Sequence, residues 1–375
     1  MSFHRAAGAA LAGRSCVSRV WIAVLIVIAV TGFSTSCGSS SKSSATHNAY
    51  VTLPQTSNVA LVRINDSTGA ISVISKTTPV QGTSPTGVAL DPSKKFLYVS
   101  NGSPANTVSV YNIAGDGTLT LSGAAIPVGS GPRSLVIDPS GKYLLITETF
   151  DNKVSVYSLG SGTLTLVGRF DADRNPNELT FFPSGEFVYV SNSTGFITAY
   201  AFDSTTGSLT EVPGSPFPSG GGVAGLELDK SRQFLFAANA TDGTVSVFTI
   251  NPGTGALAQI SGSPFPAGSG PRALTVDTTN AFLYVANQGS NDISAFTLNA
   301  STGALTAISG SPFTAGTQPV FIMAEPAGGF IYVGNQGSTN LSSYSFDTTT
   351  PGKLDPVSGS PFTVGSAPGG MVIVH

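Results

Sequence analysis

Charge is scarce in this chain: Asp, Glu, Lys and Arg together make up 10% of its 375 residues, against about 25% in an average soluble domain. No basic cluster appears among those few charges, which makes nucleic acid a poor partner. Histidine is scarcer still. His4, His47 and His375 are the only three, and none falls between residues 48 and 374. A Ser-His-Asp triad and a His-based metal site are therefore excluded from the body, and no cofactor is expected. The only cysteines are Cys16 and Cys37 and the only tryptophan is Trp21. Long apolar runs are lacking too: Val20 to Val30 is unbroken but falls short of the roughly 20 residues that span a bilayer. With 41% hydrophobic residues and a net charge of −3, disorder is also disfavoured. What is abundant is Gly and Pro, 44 and 24 residues with no Gly-X-Y period. Turn formers at that density between short apolar runs indicate an all-β protein of many strands.

The first 36 residues read as an export signal. Arg5, Arg14 and Arg19 precede the apolar run, and Ser34-Thr35-Ser36 lead into Cys37, which is the order of a secretory signal. The FSTSCGSSS stretch resembles a bacterial lipoprotein signal, which implies lipidation of Cys37 as the first mature residue. Ser34 stands where such signals usually carry Leu. Cleavage after Ser36 leaves a single cysteine, so no disulfide can form within one chain. It also removes three arginines, leaving 14 basic residues against 20 acidic ones, a net charge of −6. Residues 37–48 are expected to form a Ser-rich tether, and residues 49–375 a single domain.

That domain is repetitive. An aromatic-apolar strand ending in small residues recurs as FLYVSN, YLLITE, FVYVSN, FLFAAN, FLYVAN and FIYVGN, with AYVTL at Ala49–Leu53 as a first copy. Counted between Tyr50, Tyr98, Leu145, Tyr189, Phe236, Tyr284 and Tyr332, the spacings are 48, 47, 44, 47, 48 and 48. Each copy has a Pro-led strand before the motif and a strand such as TVSVYNI after it, whose period of two predicts one buried and one exposed face. A Gly-terminated turn then leads to a short last strand, with Gly207, Gly255 and Gly303 at the left-handed turn position, and a GSPF linker ends the later copies. Four strands in roughly 40–50 residues is the pattern of a propeller blade. The chain starts without a Pro-led strand and finishes with a spare one, Pro368-GGMVIVH. Pairing of the N- and C-terminal strands would close a ring of seven four-stranded blades and hide its sheet edges. A β-helix has much shorter repeats, and the lack of Trp and of Gly-His pairs in the body disfavours WD repeats.

With the blades placed, the YVSN, YVAN and YVGN strand ends, together with DPSGK and GSGPR, resemble the lactonase-like seven-bladed β-propellers over roughly residues 49–375. That group includes 6-phosphogluconolactonases of the cycloisomerase type, muconate-lactonizing enzymes and YVTN-repeat surface proteins. The resemblance implies a site of His, Arg and Glu around the central channel. Arg133 and Glu148 fall on the matching motif positions, but Ser134 stands where His is expected. PTGVALDPSKK lacks the expected His as well, and Ser193 replaces an Arg.

The residues themselves suggest a related site. The position after each inner-strand Pro, or after Val223 where the fifth copy lacks the Pro, should face one mouth of the channel and reads Thr86, Arg133, Asn177, Ala224, Arg272, Val320 and Gly369. Glu178 lies one step further, and Glu148 replaces the Asn of five other blades. Arg133 and Arg272 as donors with Glu148 or Glu178 as base would form an anion or carboxylate pocket. Alternatively, Arg and Glu pair with one another to fill a polar channel. Asn101, Asn192, Asn239, Asn287 and Asn335 are expected to cap turns, and Tyr98, Tyr189, Tyr284 and Tyr332 to pack between blades. The expected function is a binding or interaction module, exported to the periplasm or cell surface, lipid-anchored and monomeric. Its expected partner is a small anionic or sugar-lactone ligand, or a cell-envelope protein. The alternative is a lactone hydrolase resembling 6-phosphogluconolactonase.

Overall fold

The computed structural model describes residues 45–375; the export segment, Cys37 and the tether as far as Ser44 lie outside the described residues. Seven antiparallel sheets follow one another as the blades of a propeller. In blade 6, Pro271–Val276 is innermost, followed outwards by Phe282–Asn287, Asp292–Leu298 and Leu305–Ala307. Blades 2 and 4–7 each add a two-residue fifth strand, such as Phe313–Thr314, which pairs with the third. In blades 4–7 that extra strand comes from the GSPF linker, so the expected four strands become five there.

The ring closes as the two chain ends require. Met371–Ile373 pairs antiparallel with Ala49–Val51 and supplies the innermost strand of blade 1. The first strand starts at Thr46, so His47 pairs opposite Ile64 rather than extending the tether. A histidine therefore does belong to a blade, at the end of the sheet opposite the Pro-led mouth. His47 Nδ1 lies 2.6 Å from Asp66 Oδ1 and Nε2 lies 3.5 Å from Glu325 Oε1. Its ring stands edge-on to His375 at 5.8 Å.

The core lies between blades, which explains the unbroken apolar run of each second strand. Leu145, Val154 and Val156 of blade 3 pack with Val188, Val190 and Tyr200 of blade 4, and the other interfaces repeat this arrangement. A strand covered on both faces has no polar alternation. The third strands depart from expectation: their alternation does not mark an exposed face. Ser109, Ser246, Ser294 and Ser342 are buried, and each accepts a hydrogen bond from the Nδ2 of its blade's strand-end Asn. Small hydroxyls fit between blades because a partner is built into the repeat. The tyrosines bridge neighbouring blades: Tyr50, Tyr189 and Tyr284 donate to the backbone oxygens of Gly117, Gly255 and Gly352.

Candidate functional site

The inner strands of blades 2, 3, 4, 6 and 7 begin with Pro at a sheet edge, where a missing N–H costs no ladder bond, and blade 5 has Val223 at that position. Immediately after that position the pairing slips in blades 2–7: Pro271 pairs with Asn287, but Ala273 pairs with Ala286, leaving Arg272 without a partner in the register. Such a bulge re-aims a side chain, and here it points one residue per blade into the channel. All seven positions expected at the mouth line a single central cavity of about 670 Å³. The inner strands approach one another so closely that a Cβ on Gly87 would lie 2.3 Å from the Arg133 backbone oxygen.

The cavity brings together Arg133, Arg272 and Glu178, three of the four charged residues singled out above. The fourth, Glu148, is elsewhere. It is fully buried within blade 3, where Gly129 N–H and the Ser155 hydroxyl donate to it at 2.8 and 2.5 Å. Arg169 Nε donates at 2.8 Å and its Nη2 bridges Glu148 to Asp151. These are the bonds of the Asn cap in other blades: Gly316 N–H donates to Asn335 Oδ1, and Asn335 Nδ2 donates to Ser342. Glu148 is thus a charged version of the repeat's cap, neutralised by Arg169, and it does not reach the channel.

The sequence pattern did not single out Glu227, which lines the same cavity two positions before Asp229. The corresponding residues are Val136, Thr275 and Met323, so a comparison of inner strands beyond their first residue would have found it. Val276 N–H donates to Glu227 Oε1 at 3.2 Å, and Lys230 Nζ stands 3.5 Å away. Burial raises the Glu227 carboxyl above its ordinary value, and Lys230 opposes the rise.

Among the described residues, the Glu178 carboxylate receives only Leu226 N–H, at 3.3 Å. Burial first and the neighbouring Glu227 second push it up to about 7, while Leu226 N–H and Arg133 pull it down. Burial lowers the Arg133 guanidinium from its ordinary value, and the Glu178 charge opposes that. Neither Arg133 nor Arg272 forms an ion pair with a described carboxylate. Arg272 Nη1 donates to the Ala224 backbone oxygen at 3.4 Å. No group of three or more His, Cys, Asp or Glu side chains among the described residues is arranged to hold a metal.

A closed ring of seven blades with a charged central cavity defines this molecule as a seven-bladed propeller with a channel-mouth site. The chain belongs to the lactonase, 7-bladed beta-propeller family, whose model matches residues 41–170, 143–224, 213–316 and 265–369. It is related to 6-phosphogluconolactonases: 35% identical to that of Formosa agariphila over 72 residues, and 26% identical to that of Serratia proteamaculans over 175 residues. Those matches cover 19% and 44% of this chain and 20% and 52% of the relatives, so the chain spans about half or less of their length. Among solved structures, a putative 6-phosphogluconolactonase from Bacteroides fragilis superposes with a TM-score of 0.79 at 18% identity, covering 89% of this chain and 99% of the other. The periplasmic gluconolactonase of Pseudomonas aeruginosa gives 0.77 at 18% identity, covering 88% and 99%. At that identity the likeness is one of fold.

Proposed function

We propose that this protein is an exported propeller, tethered through a lipid on Cys37, that binds a small organic carboxylate in its central cavity. The observation that carries the reading is the convergence of Arg133 and Arg272 on one cavity with no described carboxylate paired to either. Two guanidinium groups not neutralised by the fold are donors kept for an incoming anion. The alternative in which Arg and Glu fill the channel by pairing with each other has no bonded pair to support it.

Calorimetric titration of the purified protein with small carboxylates should give saturable binding that Arg133→Ala and Arg272→Ala each weaken at least tenfold. No binding by the wild-type protein would overturn the reading. For the tether, Cys37→Ala should remove the acyl mass and shift the protein out of the membrane fraction. Retention there would refute lipidation as the anchor.

A second reading, lactone hydrolysis, is favoured by Glu178, whose carboxyl at about 7 is divided between base and acid near neutral pH. The Glu178 carboxylate would take a proton from a water attacking the lactone carbonyl. Arg133 or Arg272 would stabilise the oxyanion. Collapse would then break the ring C–O bond, and Glu178 would return the proton to the departing oxygen, leaving a hydroxy acid. Acid release from a lactone panel, lost in Glu178→Gln, is the expected result; no turnover above buffer excludes hydrolysis and leaves binding.

A further inference from the structure

The cavity wall is two-sided. Blades 3–6 supply its charge, with Arg133 and Arg272 at the rim level and Glu178 and Glu227 deeper. Blade 7, across the ring from blades 3 and 4, presents Val320, Phe321 and Met323 at successive levels, and Met371 continues this face on blade 1. Gln336 at the rim apart, no side chain that blades 7 and 1 place in the wall carries a hydroxyl, an amide or a charge.

Phe321 is not a by-product of the repeat. The corresponding inner-strand residues are Gly87, Ser134, Glu178, Gly225 and Ala273, so blade 7 alone carries a large apolar group there. A matching change accompanies it on the next strand. Ser100, Thr147, Ser191, Ala238 and Ala286 precede the strand-end residue elsewhere, whereas blade 7 has Gly334. A Cβ on Gly334 would lie 2.1 Å from the Phe321 ring. Gly334 is thus the seat that lets an aromatic ring lie in the channel wall, and the ring remains partly exposed there.

We infer that the cavity selects carboxylates with an apolar aryl or alkyl body over polyhydroxylated ones, the anion held by Arg133 and Arg272 and the body laid against Phe321 and Met323. This rests on the carboxylate-binding reading above and specifies its ligand class. A sugar acid would bring several hydroxyls against a face that offers side-chain partners to none of them, and each unpaired polar group is costly. An apolar body gains by leaving water, and a cavity of about 670 Å³ is within the range of roughly 300–1,000 Å³ typical of small-molecule sites.

The experiment compares 4-phenylbutyrate with gluconate, each carrying one carboxylate, by calorimetry on the full protein at fixed pH and salt. The expected result is at least tenfold tighter binding of 4-phenylbutyrate, with a more negative heat-capacity change. Met323→Gln, at a partly exposed position, should weaken 4-phenylbutyrate severalfold and, by offering an amide to the hydroxyls, tighten gluconate, so that the preference narrows. Phe321→Ala should also weaken 4-phenylbutyrate if it folds, but the inference does not depend on that variant. Equal or tighter binding of gluconate, lost in Arg133→Ala, would overturn this inference and leave the carboxylate-binding reading intact. An unchanged preference in Met323→Gln would overturn it as well. Failure of both compounds to bind would remove the carboxylate-binding reading and this inference with it.

Discussion

Glu148 and Glu178 lie one blade apart, each within a repeat unit of the same design, and they have opposite surroundings. Glu148 has four donor contacts and an arginine of its own, and its chemistry is finished within blade 3. Glu178 has one backbone donor, a second carboxylate nearby and an arginine that does not pair with it. Both are departures from the repeat, so departure alone does not identify a ligand site. What separates them is compensation: Glu148 is accompanied by Arg169 and Asp151, whereas the fold leaves Glu178 and the channel arginines unsettled. A functional charge is the one whose partner the structure withholds.

The largest expected effect is on the compensated side. Glu148→Ala leaves Gly129 N–H and the Ser155 hydroxyl unpaired in a buried site and leaves Arg169 with Asp151 as its one carboxylate partner. Breaking a fully buried pair costs about 3–5 kcal/mol. Arg169 is 38% exposed, so a loss of about 3 kcal/mol or slightly less is expected in urea unfolding. Carboxylate affinity should be unchanged. A stable Glu148→Ala variant with impaired binding would collapse the comparison.

Next come two glycines that test the same contrast sterically. A Cβ on Gly129 would lie 2.1 Å from Glu148 Oε2 and 2.3 Å from Arg169 Nη2. Gly129→Ala should therefore cost about 2 kcal/mol by overpacking, again without touching affinity. A Cβ on Gly225 would lie 2.7 Å from the Arg272 backbone oxygen and 3.2 Å from Glu178 Oε2. Gly225→Ala should lose similar stability and, unlike Gly129→Ala, weaken carboxylate binding as well. Equal behaviour of the two variants in the binding assay would erase the distinction between the sites.

The fold was legible because one physical requirement is written seven times. Strands buried between blades must be apolar on both faces, and the motif ending in FLYVAN or FIYVGN repeats that requirement at a nearly constant interval. The channel mouth was legible for the same reason, since Pro, or Val223 in blade 5, marks the start of the inner strand and the residue after it enters the channel. The misreadings have a common cause. Alternating serines look solvent-facing until Asn239 and its equivalents are seen to satisfy them. Glu148 looks like a site until Arg169, 21 residues later on the outermost strand, is seen beside it. In both cases the partner is supplied by another strand, and a linear pattern does not show strand register.

On the uncompensated side, the expected effect is smaller and depends on pH. Glu178 titrates at about 7 in the folded chain, above its ordinary 4.5. Between those values the folded state holds a proton that the unfolded state has released, so stability falls as pH rises through this window. Glu178→Gln removes that loss. The variant should match the wild type near pH 5 and exceed its unfolding free energy at pH 8, by no more than the roughly 2.5 kcal/mol that a shift from 4.5 to about 7 allows between those pH values. A variant less stable than wild type at pH 8 would show that the Glu178 charge is compensated after all.

The smallest effect is expected from undoing the blade 3 departure altogether. If Glu148 is only a charged cap, the double variant Glu148→Asn with Arg169→Thr should restore the pattern used in blade 7. There, Gly316 N–H donates to Asn335 Oδ1 at 3.1 Å and Asn335 Nδ2 donates to Ser342 at 2.9 Å. The introduced amide would accept from Gly129 N–H and donate to the Ser155 hydroxyl in the same way, and Thr suits an outer strand. Replacing a buried ion pair by a satisfied neutral set is often nearly neutral, so the double variant should lie within about 1 kcal/mol of wild type. Its coupling in a double-mutant cycle should be large, since Arg169→Thr alone leaves the Glu148 charge buried without its cation and Glu148→Asn alone removes one of the two carboxylates that Arg169 bridges. A double variant as unstable as Glu148→Ala would mean that the ion pair does more in blade 3 than replace an asparagine.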